Sequence, residues 1–337
     1  MLLLSARQSA VRRLITWLVF AFSFAPSFSF PTNPYHDQTN DVSLVPRQPS
    51  LIKDTLVLYY IEDEAKPGFN KYDYSRFKYG DTRFASQYGQ EMANLAWKQL
   101  IKPILDKDRA SHRPLTRFAT MVSQGSLPTA ATTFESAFCQ YLNRYLAAEG
   151  AYAVLSVPIL KATSASQSGD YATMSDADRE NLMNNEHFTF DRQAIEGMVV
   201  LNLDDIYITG GHERAIRRTF QEEAAAGRHH DVYYLYIAKL ANPKIDPAIE
   251  TRLNEVAVPQ FKDFKSIIEG PMFIIENRFV KRMLKAGSAE LKGLLSSLNQ
   301  GKDFAGRLYD AAIMNDFHMG GNAYKPNLKL VQAMAGL

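Results

Sequence analysis

The spacing of apolar residues changes several times along the chain, and each change predicts an element. Residues 55–61 form an apolar, β-prone run that Pro67-Gly68 closes. Aromatic residues crowd 69–79 up to a Lys78-Tyr79-Gly80-Asp81 turn, and residues 82–105 then follow the helical period. Residues 115–122 read as a strand, 133–150 as a helix and 152–160 as a further strand. The run from Val199 to Leu203 has the continuous hydrophobicity of a strand buried on both faces, as in parallel sheets. A glycine turn follows it, then a helix over 213–226 and a strand over 232–240. This alternation predicts an α/β fold with an open, mainly parallel sheet flanked by helices. Beyond residue 242, Pro243, Pro247, Pro259 and Pro271 separate short segments of helical spacing at 251–256, 261–268, 272–285 and 289–298. They predict a helical C-terminal extension.

Two stretches stand outside this pattern. Arg7, Arg12 and Arg13 precede an apolar stretch over 14–30, and Ala25-Pro26-Ser27 offers small residues at cleavage positions, the layout of a signal peptide or short anchor. Residues 31–50, rich in Pro, Asn, Asp and Ser, read as linker. The polar stretch 161–191 is a candidate flexible loop, because connections of that length in compact domains are usually functional or disordered. The expected organisation is a leader and linker over 1–50, an α/β domain over 51–242 and the helical extension over 243–337.

Composition narrows the chemistry. With 337 residues, 46% of them hydrophobic, the chain can bury one good core and a second small one. Lys and Arg total 38 against 36 Asp and Glu, which argues against a broad nucleic-acid-binding face. The single cysteine, Cys139, rules out an intrachain disulfide and sits in an apolar helical pattern that favours burial. No Gly-x-Ser-x-Gly occurs, and His229-His230 has no Cys or acidic partner at ligand spacing. A serine or cysteine nucleophile and a protein-built metal site are therefore not indicated.

The chemistry that is indicated lies at the end of the acidic strand. Open α/β sheets bind ligands beyond the carboxyl ends of their strands. Asp204 and Asp205 are expected there, outside the core, where carboxylates can accept hydrogen bonds from sugar hydroxyls. Ile208-Thr209-Gly210-Gly211-His212 then turns into a helix whose first amides point outward, which suits a phosphate.

The run from Val199 to His212 resembles the ribose-phosphate signature of the type I phosphoribosyltransferases, an apolar strand, an acidic pair and a Thr-Gly-Gly-Thr-like loop. Ser166-Gln167-Ser168-Gly169, with Met174-Ser175, Arg179 and Asn181, is similar to the segment ahead of that strand in the ComF-like members. Lys78-Tyr79-Gly80-Asp81 is similar to their Lys-Tyr-x-Gly-Asp start. The resemblance implies the type I phosphoribosyltransferase fold and transfer of ribose 5-phosphate from phosphoribosyl pyrophosphate, with substrate-held Mg²⁺, to or from an unidentified nitrogenous acceptor. It implies that Asp204 and Asp205 hold the ribose and act in catalysis, while Ile208, Thr209, Gly210, Gly211 and His212 hold the 5-phosphate. It makes Ser123, Gln124, Gly125 and Ser126 the candidate pyrophosphate turn, with Lys161, Gln167 and Arg179 supplied by the loop. Three departures stand against this. His212 occupies a hydroxyl position, Thr132-Thr133-Phe134-Glu135 stands where an Arg-Gly-Phe-Asn run is usual, and the cysteines of a zinc ribbon are missing. A sensor that binds phosphoribosyl pyrophosphate or a nucleotide without turnover is the alternative. Because phosphoribosyl pyrophosphate is a cytoplasmic metabolite, the expected location is the cytoplasm, with a start assigned too far upstream or a dispensable leader. Membrane contact is expected only if the apolar leader is genuine, and a homo-oligomer stays open.

Overall fold

Strands and helices alternate from residue 50 to residue 240 in the computed structural model, which describes residues 50–52, 54–161 and 188–337. Residues 1–49 of the expected leader and linker, and residues 162–187 of the candidate flexible loop with Gln167 and Arg179, lie outside those residues. Strand β1 (Ser50–Ile52) runs antiparallel to β2 (Thr55–Ile61). Helix α1 (Lys71–Phe77) starts where the Asn70 side chain accepts from the Tyr72 and Asp73 amides. The helix expected over 82–105 is split into α2 (Thr82–Ala96), a widened π-type turn at Trp97–Ile101 and α3 (Lys102–Ala110). Pro103 explains the split, since it has no N–H to donate and its ring crowds the carbonyl four residues back. The turn opens until the Lys102 amide reaches the Trp97 carbonyl.

The α/β part continues with β3 (Arg117–Gln124), α4 (Ala130–Ala148), β4 (Leu155–Lys161), β5 (Phe188–Thr189), β6 (Met198–Tyr207), α5 (Gly211–Ala225) and β7 (Asp231–Leu240). Helix α4 begins ahead of residue 133 because Thr129 and Thr132 close a capping box. The C-terminal part contains α6 (Ile249–Glu255), a 3₁₀ turn at Phe261–Asp263, α7 (Phe264–Ile268), α8 (Asn277–Leu284), α9 (Ser288–Ser297), α10 (Gly301–Met314) and α11 (Gly321–Ala335). The last two fall beyond the segments predicted from spacing. Glycine begins each of them and Pro326 interrupts α11, which blurs the period.

The sheet has the strand order β1-β2-β7-β6-β3-β4-β5, parallel except for the antiparallel edge strands β1 and β5. Successive side chains of a strand face opposite ways. In β6, Leu201 and Leu203 enter the core beneath α1, α2 and α4 with Tyr74, Phe77, Met92 and Phe138. Val200 enters the other core, against Ala215, Ile216 and Phe220 of α5. From Met198 to Asp205 the odd and even residues of β6 thus serve different layers, so Asp205 and Asp204 diverge, and the order reverses only at Ile206 and Tyr207.

The helices α7 to α11 close a third core around Phe264, Phe279 and Leu308, to which Tyr79 and Leu127 also contribute. Ile249 and Leu253 of α6 belong instead to the core under the sheet. Contacts therefore cross the expected boundary at 242/243 in both directions, and all the described residues fall in one compact unit.

Residues 272–276, expected to begin a helix, are not helical: Met272 completes a turn, Phe273 forms an isolated bridge and α8 begins only at Asn277. The Ile274 amide donates to Gly80 O at 2.9 Å, the Thr82 amide to Met272 O at 3.1 Å, and Asp81 bridges to Phe273. These backbone bonds replace a first helical turn. Gly80 permits the approach, having φ of 95° and a position at which a Cβ would run into the Ile274 carbonyl. Gly80→Ala is expected to lower stability by about 2–5 kcal/mol, from backbone strain plus overpacking. Chemical denaturation measures this, and an unchanged midpoint would contradict the docking described.

Candidate functional site

Strand β6 runs through both acids and ends at Tyr207, so the acids lie within its last residues and not past its end. Gly210 then adopts φ 73° and ψ 12°, and α5 begins at Gly211 with no side chain capping it. A Cβ at Gly210 would strike the Tyr207 ring, so the turn is backed by that ring and requires glycine. The first-turn amides of α5 have no carbonyl partner within the helix, and the helix dipole adds partial positive charge there. The acid of that turn, Glu213, is already matched by Arg217 at 2.7 Å and by the Tyr236 hydroxyl at 2.7 Å. Arg214 braces the turn by donating to Thr209 O at 2.8 Å.

The two acids part company. Asp204, half-buried, accepts the Asp205 amide at 2.9 Å and pairs with His212 Nδ1 at 2.7 Å, fastening the first turn of α5 to β6. His212 Nε2 is buried without a hydrogen-bond partner, and Phe188 packs on the ring. Asp205 faces the other layer and is only 7% exposed. Its Oδ2 accepts Tyr74 Oη at 2.7 Å and is paired with Lys78 Nζ. Burial by itself would raise the Asp205 carboxyl, but the Lys78 charge and the bonds from Lys78 and Tyr74 prevail and hold it below its ordinary value. The expectation that both acids stand clear of the core is corrected for Asp205. The reason is strand alternation, which turns consecutive residues to opposite faces.

Around Lys78 lies a second ring of charge. Glu250 Oε1 of α6 is 3.9 Å from Lys78 Nζ and 3.3 Å from Arg278 Nη2 of α8. Glu276, the residue before α8, is 1% exposed; its Oε2 has no partner and its Oε1 is 3.3 Å from the Thr133 hydroxyl. Burial pushes its carboxyl up to about 8, against the pull of Lys78. Sequence reasoning passed over Tyr74, Glu250 and Glu276 and took Lys78 only as part of a motif. The available signal was a lysine between Phe77 and Tyr79 and a glutamate directly after Phe273-Ile274-Ile275, each a charge set against apolar neighbours.

The candidate pyrophosphate turn sits on the neighbouring strand. Met121 pairs with Asn202, so Gln124 and Asp205 lie equally far along adjacent parallel strands. Ser123 and Gln124 finish β3, and Gln124, Gly125 and Ser126 are exposed. Lys161 ends β4, the strand beyond β3. Ile208 packs against the core under the sheet. The structure thus gathers Asp204, Asp205 and Ile208 to His212 at one strand end, with 123–126 beside them. Cys139 is half-buried next to the Thr120 hydroxyl at 3.4 Å, and burial pushes its thiol up to about 12, so it is no nucleophile at neutral pH. His229 is exposed, while His230 packs on Phe220.

The family model described as PRTase ComF-like matches residues 52–331. The chain belongs to that family, and the match includes the C-terminal helices up to α11. No curated protein matches the sequence. Among the described residues no helix is long and apolar enough to cross a membrane, and no group of three or more His, Cys, Asp or Glu side chains is disposed to hold a metal ion.

Glu276 makes stability depend on pH. An acid whose pKa is raised on folding contributes stability that is complete below its unfolded value, near 4.5, and that is lost as pH rises through its folded value, about 8. Unfolding in that window releases a proton. Glu276→Gln is expected to remove this component, so that denaturation midpoints of the variant fall less than those of the wild type between pH 5 and 9, as a window of about four units. Parallel pH profiles would contradict the burial of this carboxyl.

Proposed function

We propose that the chain binds phosphoribosyl pyrophosphate, or a nucleotide-like relative, at the carboxyl ends of β6 and β3 and transfers ribose 5-phosphate to or from a nitrogenous acceptor. The observation that carries this reading is the left-handed Gly210 turn opening an uncapped α5 directly after two acids on a central parallel strand. The 5-phosphate takes the amides of Thr209 to His212. Asp204 keeps spare acceptor capacity for a ribose hydroxyl, and Asp205, anchored through Oδ2, offers Oδ1. Both carboxylates lie where positive charge develops on the ribose ring as the leaving group departs. Mg²⁺ fits this donor set as a substrate-held ion, because it binds through phosphates with few protein ligands, and it neutralises the charge of the departing pyrophosphate. On this reading the chain acts in the cytoplasm on a small metabolite, with no nucleic-acid partner.

A second reading, a sensor that binds the ligand without turnover, draws on the Lys78–Asp205 pair. A ribose hydroxyl at Asp205 competes with an ammonium group for the same carboxylate.

Calorimetric titration with phosphoribosyl pyrophosphate and Mg²⁺ tests the shared step. The wild type is expected to bind, and Asp204→Asn to weaken binding by about tenfold or more through loss of a charged acceptor. Asp204 is the better target, since Asp205→Asn leaves Lys78 buried without its anion and is expected to unfold the region. An equal affinity in wild type and Asp204→Asn would remove the assigned role. Pyrophosphate release with added nitrogenous bases separates transferase from sensor.

A further inference from the structure

Strand β7 carries no motif, yet its last residues reach the ligand edge of the sheet beside the Gly210 turn. The side-chain alternation of β6 slips at Asp205 and Ile206, which both face the layer of α1, α2 and α4. That of β7 slips at the same level, where Ile237 and Ala238 both enter the core of that layer. Tyr207 and Lys239, partners in register, therefore come back to the α5 face, whereas strict alternation would turn them away from it. The Tyr207 ring backs the Gly210 turn, and Lys239 Nζ stands over that ring, 4.3 Å from its centroid.

Neighbouring charges on this face are committed. Arg217 holds both Asp54 and Glu213, His212 is paired with Asp204, and Arg214 donates to Thr209 O. Lys239 is half-buried, and among the described residues no carboxylate lies within ion-pair distance of it. Its contact with the face of the Tyr207 ring is weak at a site that solvent reaches. A phosphate at the amides ahead of α5 competes for the ammonium group with full charge and strong acceptor oxygens, and the four-carbon stem lets the group follow.

We propose that Lys239 supplies a cation to the phosphate subsite, its ammonium group moving from the Tyr207 ring to the monoester held by the amides of Thr209 to His212, so that β7 together with α5 selects a phosphorylated sugar over an uncharged one. This rests on the phosphoribosyl pyrophosphate reading and deepens it. Calorimetry on the full chain with ribose 5-phosphate, at low and at high NaCl, provides the test. Lys239→Met keeps the apolar stem on Tyr207 and removes the charge; it is expected to weaken binding by about fivefold or more at low salt. Added NaCl is expected to weaken the wild type more steeply than this variant, because one screened charge is gone. Lys239→Arg, with charge kept, is expected to bind within about threefold of the wild type. Should Lys239→Met shift the melting temperature, Lys239→Gln carries the same comparison. An affinity equal to that of the wild type in the neutral variant, or a Lys239→Arg as weak as the neutral variant, would overturn the proposal. The two readings fail differently. If the wild type binds and its Gly210 and Gly211 amides respond while the neutral variant binds equally well, the role of Lys239 alone is refuted; if the wild type does not bind ribose 5-phosphate, the sugar-phosphate turn falls and Lys239 with it.

Discussion

A carboxylate buried at the end of a central strand is the constraint from which the rest of the arrangement follows. Asp205 is nearly without solvent, and an isolated charge there costs several kcal/mol. Lys78 and Tyr74 make it tolerable by bringing an ammonium group and a hydroxyl to the same oxygen. Both lie on α1 or just after it, so α1 must dock against the end of β6. The 78–81 turn is then fixed in place, and residues 272–276 press onto it through Gly80. One ion pair thereby ties the sheet, α1, α6 and α8 into a shared electrostatic unit.

The same strand explains why adjacent acids have separate tasks. Asp204 turns toward α5 and orients the His212 ring, whereas Asp205 turns toward α1 and Lys78. The turn that follows starts α5 with no side-chain cap, its Gly210 and Gly211 buried, and the acids lie on the two faces of β6 ahead of it. A ligand with a phosphate at one end and hydroxyls beside it matches that order of groups. The C-terminal helices, joined by the same family match, bring Glu250, Glu276 and Arg278 to this edge.

The fold was legible where burial is periodic. Continuous hydrophobicity in β6 announced a parallel strand, and the turn from Ile208 to His212 was readable because Gly210 and Gly211 interrupt two regular elements. The site was legible only in part, because its partners come from far along the chain. Lys78 and Asp205 are 127 residues apart, and local spacing holds no trace of such a contact. The spacing of Phe273 and Ile274 is helical, yet long-range backbone bonds with Gly80 and Thr82 hold residues 272–276 out of a helix. The wide turn at Trp97–Ile101 follows from Pro103, a local cause that the otherwise regular apolar period conceals.

The functional proposal stands or falls on whether the main-chain amides between β6 and α5 hold a phosphate monoester. Amide shift mapping of the isotopically labelled chain, on addition of ribose 5-phosphate, tests it most directly. The largest changes are expected on Gly210, Gly211 and His212, with smaller ones at Asp204 and Asp205. Saturable changes confined to other parts of the chain, with those amides unmoved, would contradict it.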